Sequence, residues 1–67
     1  MNRATFQRLE APEAAKIVRW RFDRLVEAGY EAETASFLAD RVEIDLHLAV
    51  ELIVKGCPPA TAVRILV

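Results

Sequence analysis

The five helix-breaking residues of this 67-residue chain, Pro12, Gly29, Gly56, Pro58 and Pro59, all fall where a helix would begin or end. A chain punctuated in this way has long uninterrupted stretches suited to helix and few of the turn residues that a set of short strands requires. Pro12 fits a first helical turn, where its missing N–H would lack a partner, and the Ala-rich run after it continues to Ala28. Gly29 then supplies the left-handed residue that closes a helix. The pattern predicts helices over 12–28, 32–41, 46–55 and 60–66. Asp45 is the best capping residue for the third of these, and Gly56 closes it before Pro58 and Pro59 force a break. Residues 1–11 form either an arm or a short helix capped by Thr5. No strand pattern, repeat or low-complexity segment is present, so the fold class is all-α, and residues 1–67 read as one small helical domain.

Placed at about 100° per residue, the apolar side chains line up in stripes. The expected core is Ala15, Val18, Phe22, Leu25 and Val26 on the first helix, Ala35, Leu38, Ala39 and Val42 on the second, and Leu46, Ala49, Val50 and Ile53 on the third. Ile17, Trp20, Phe37, Leu48 and Leu52 fall outside these stripes. Two explanations are open for them. The N-terminal arm and the last helix, with Ala62, Val63 and Leu66 on one face, can fold back over them, or they form a surface for a partner. The last helix is too short to cover all five, which favours a homodimer burying Trp20, Ile65 and Val67. Hydrophobic residues make up 54% of the chain, more than so small a body can hide, and this supports the same expectation.

Nine basic and ten acidic residues give a net charge of −1, so bulk charge does not draw this chain to nucleic acid or to an anionic membrane. The apolar runs are far shorter than the roughly 20 residues needed to cross a bilayer. A single cysteine, Cys57, fits a reducing compartment, and the expected location is cytoplasmic. The main alternative to protein binding is a basic-aromatic cluster of Lys16, Arg19, Trp20, Arg21 and Arg24 that would stack on bases and pair with phosphates. Against it, Glu13, Asp23 and Glu27 are interleaved, as on a solvated, salt-bridged helix face. His47 and Glu51 are four apart but lack further metal ligands, and Cys57 has no neighbouring base. The expectation is therefore a binding protein and not an enzyme, with no cofactor, metal or small-molecule substrate.

The segment LVEAGYEAETASFLADRVEIDLHLAVELI, residues 25–53, resembles a ubiquitin-associated (UBA) domain. The resemblance lies in the turn at Gly29 and Tyr30, the small residue Ala35 early in the next helix, and the polar cap Asp45. These precede the run Leu46, His47, Leu48, Ala49 and Val50, with Gly29 and Ala49 at the family's spacing. It implies a three-helix UBA-like bundle, here with an added short C-terminal helix. By the same resemblance, a partner-binding patch would combine Ala28, Gly29 and Tyr30 with Leu52 and Ile53. UBA-like helices also occur in elongation factor Ts and in the nascent-polypeptide-associated complex, so ubiquitin is one partner among several that the resemblance allows. Together with the surplus residues Ile17, Trp20, Phe37 and Leu48, these positions are the candidate contact surface for another protein or a second copy.

Overall fold

A computed structural model describes residues 2–67, and the chain is an all-α bundle of five helices with no strand among the described residues. The helices are α1 (Arg3–Gln7), α2 (Ala11–Ala28), α3 (Ala32–Asp40), α4 (Leu46–Val54) and α5 (Pro59–Leu66). No helix is long and apolar enough to cross a membrane among the described residues. The arm-or-helix question at the N-terminus resolves as a helix, but its cap is not Thr5. The Asn2 side chain accepts a hydrogen bond from the Thr5 backbone amide at 2.7 Å, which sets the cap three residues earlier. Prolines stand at the starts of α2 and α5, where a fixed φ is suited to the first turn. Asp45 caps α4, accepting from the amides of His47 at 2.9 Å and Leu48 at 3.4 Å.

At the end of α2, Gly29 adopts φ 128° and its amide reaches back to the carbonyls of Leu25 and Val26. A Cβ at this position would stand 3.3 Å from Ile53 Cγ2, so the turn and the close approach of α4 both call for glycine. This contact brings the end of α4 to the end of α2. Arg21 meets the Ile44 carbonyl just before α4 begins, so α4 lies beside α2 with the same polarity. Between them α3 returns along α2, and α5 packs on α4.

The core comprises Leu25, Tyr30, Ala35, Leu38, Ala39, Val42, Ile44, Ala49 and Ala62, with Val18, Phe22, Leu46, Leu52, Ile53, Val63 and Leu66 partly buried against it. Three expected core residues are not part of it: Ala15, Val26 and Val50, the last half-buried beside the α2–α4 groove. Ala15 and Val26 are exposed, because the inward stripe of α2 is turned toward Arg21 and Leu25, the two buried residues of that helix. Val42 is fully buried, yet it belongs to the loop after α3 and not to a helix. Here Val42 and Ile44 are buried while Arg41, Glu43 and Asp45 remain exposed, in a turn closed by the Ile44 amide donating to the Arg41 carbonyl at 2.9 Å. The molecule measures 36 × 18 × 16 Å. α1 has no buried residue, and the Arg3–Glu43 pair at 3.1 Å links it to the α3–α4 loop.

Candidate functional site

The residues singled out from sequence separate into three groups. Tyr30 belongs to the core. It is 2% exposed, and its hydroxyl donates to the Ala49 carbonyl at 2.8 Å, tying the α2–α3 turn to the middle of α4. Burial pushes this hydroxyl above its ordinary pKa, and neighbouring Cys57 adds to the shift. The ring therefore offers no contact surface, a correction to its place in the expected patch. Tyr30→Phe is expected to lower the unfolding free energy by about 1 kcal/mol in urea denaturation, as the loss of one buried hydrogen bond does. A tyrosine acting only at an outer surface would leave stability unchanged.

Ala28, Leu52 and Ile53 are half-buried, and Leu52 and Ile53 pack against the core, so of the expected UBA-type patch only Gly29 is exposed. Phe37 and Leu48 are exposed, at 43% and 41%. The Arg41 guanidinium lies over the Phe37 ring at 4.7 Å, a neighbour one helical turn on, which accounts for part of that side chain's surface. α5 places Ala62, Val63 and Leu66 against the core, while α1 has no buried residue.

Ile17 and Trp20 come together in a groove of about 770 Å³ between α2 and α4. Its apolar lining is Ile17, Trp20, Leu46 and Val50, and Arg21, Arg24, Glu43, Asp45 and His47 complete it. Trp20 is 58% exposed, a large apolar side chain held at the edge of a concave surface. The helical wheel points Leu46 and Val50 toward the core. Both are only half-buried, because α2 leaves this side of α4 partly open. Helical periodicity identifies an apolar stripe but does not say how much of its width a neighbour covers.

The charges around the groove are largely engaged. Arg19 pairs with Asp23 at 3.2 Å and Arg24 with Glu27 at 3.3 Å, both exposed intrahelical pairs of small energetic worth. Glu43 pairs with Arg3 at 3.1 Å, and its own backbone amide, then Arg3 and Arg41, hold its carboxyl below the ordinary range. Arg21 is not a member of a solvated basic cluster. It is 6% exposed, with Nε donating to the Ala39 carbonyl at 3.2 Å and Nη2 to those of Arg41 at 3.1 Å and Ile44 at 2.8 Å. Glu51 pairs with Lys55 at 2.8 Å, and this lysine holds its carboxyl below the ordinary range with a smaller contribution from His47. Among the described residues no three of His, Cys, Asp and Glu gather as a metal site.

No protein-family model matches the chain, and neither a curated protein nor a solved structure matches it significantly.

Proposed function

We propose that this chain is a protein-interaction module that acts by self-association, using the groove between α2 and α4 as its contact face. The observation that carries the reading is Trp20, 58% exposed beside the apolar groove residues Ile17, Leu46 and Val50. A half-exposed tryptophan next to an apolar concavity is the typical composition of a binding hot spot. Further support comes from Ile65 and Val67, 58% and 65% exposed, which add apolar surface that a chain of this size leaves uncovered. A net charge of −1 leaves little long-range repulsion between copies.

A UBA-like role in binding ubiquitin has less support, because the Tyr30 ring it would use is buried. Nucleic-acid binding also has less support, since Arg21 is committed to carbonyls and Arg19 and Arg24 to carboxylates. Sedimentation over about 10 μM to about 1 mM tests the proposal. The apparent mass of the native chain is expected to rise with concentration. Trp20→Ala is expected to remain monomeric with stability changed by less than about 1 kcal/mol, as for an exposed position. A native chain monomeric throughout would remove self-association. Amide shifts at Gly29 and Leu52 on adding ubiquitin would replace it with the UBA-type reading.

A further inference from the structure

Along α2, Glu13, Ile17, Trp20 and Arg24 follow one another at intervals of four, three and four, the spacing that lines side chains along one side of a helix. Leu25, fully buried, lies on another side, so the stripe is not the core face. Glu13, Trp20 and Arg24 are exposed and Ile17 is half-buried. The stripe has a direction: a carboxylate at its start, two large apolar residues in the middle and a guanidinium at its end. Glu13 makes no ion pair among the described residues, and Arg24 holds only the exposed Glu27.

A surface with an acidic end, an apolar centre and a basic end is complementary to itself when turned by a two-fold axis, the symmetry of the commonest oligomers. We infer that the groove is occupied by the α2 helix of a second copy, running antiparallel. Glu13 then meets the partner's Arg24, and Ile17 meets the partner's Trp20. Each contact is made twice. A parallel arrangement would set Glu13 against the partner's Glu13 and Arg24 against the partner's Arg24, so charge selects the antiparallel one. The contact spans only about three helical turns, a short interface, and association is expected to be weak.

The inference rests on the α2–α4 face being the contact face, and charge swaps test it separately from that reading. Glu13→Arg and Arg24→Glu each turn two attractive contacts into two repulsive ones, and each is expected to raise the dissociation constant on the order of tenfold. The double variant E13R/R24E restores the pairing within one chain and is expected to regain the native constant. Mixing the two single variants is expected to give a one-to-one heterodimer, since each supplies the charge the other lacks. The differences are expected to shrink at about 0.5 M salt. Circular dichroism on every variant confirms that helix content is retained, since Glu13 also lies in the first turn of α2. Failure of both the double variant and the mixture to regain association overturns the antiparallel register. If Trp20→Ala abolishes association while the swaps have no effect, the face stands and the register falls. A native chain monomeric at about 1 mM overturns both.

Discussion

Arg21→Met is expected to lower the unfolding free energy by about 3 kcal/mol in urea denaturation, a large share of the roughly 3 to 10 kcal/mol that a domain of this size has. Methionine fills much of the arginine's space but donates nothing. The carbonyls of Ala39, Arg41 and Ile44 would lose their guanidinium donor, two of these bonds being in buried surroundings. Arg21 acts as a cap from a neighbouring helix. Ala39 lies in the last turn of α3, whose terminal carbonyls lack intrahelical donors, and the helix ends at Arg41 without a glycine. A cation at a helix C-terminus also complements the helix dipole. Burial pushes the Arg21 pKa down, while Glu43 and Asp45 push it back up and so favour the charged form. Arg21→Lys is expected to recover only part of the loss, because an ammonium is a single point of donors and cannot span three carbonyls as the planar fork does. An unchanged denaturation midpoint in Arg21→Met would refute the capping role.

Leu38→Ala is expected to cost about 3 kcal/mol, within the range for removing a fully buried aliphatic side chain. Leu38 is 0% exposed in the last turn of α3, within the buried core cluster. Phe22→Ala and Ile53→Ala are expected to cost less than their size suggests. Both side chains are only partly buried, and Phe22 lines a shallow groove of about 340 Å³ between α2 and α3. Urea denaturation of the three variants, with slopes compared to confirm a common unfolding transition, gives the order directly. Phe22→Ala proving the most harmful of the three would mean that the shallow groove is closed in solution.

The helices and their ends were legible because their causes are local. The expected 12–28, 32–41, 46–55 and 60–66 differ from the observed helices by no more than one residue at either end. Pro12, Gly29, Asp45, Gly56 and Pro59 act through their own backbone or through amides within one turn. The candidate site was legible in part. Ile17 and Trp20 stand out because they fit no stripe, whereas helical periodicity points their neighbours Leu46 and Val50 toward the core. A wheel gives direction and not coverage, and coverage depends on where α2 comes to rest beside α4.

Three features depended on contacts across long sequence separations. Arg21 reads as one more charge among Lys16, Arg19 and Arg24 until the end of α3 supplies carbonyls 18 to 23 residues away. Tyr30 reads as a surface aromatic until Ala49 supplies an acceptor 19 residues on. Ile44 lies in a turn that no helical period reaches, and it is buried because it joins a core cluster with residues as distant as Leu25 and Ala62. Propensity, capping and the punctuation of glycine and proline are written into neighbouring residues, and they specified the all-α architecture and the limits of each helix. The burial of a polar group is decided only when a distant segment brings its hydrogen-bond partner. Tertiary structure thus placed Arg21 and Tyr30 in the interior and left Trp20 exposed beside the groove.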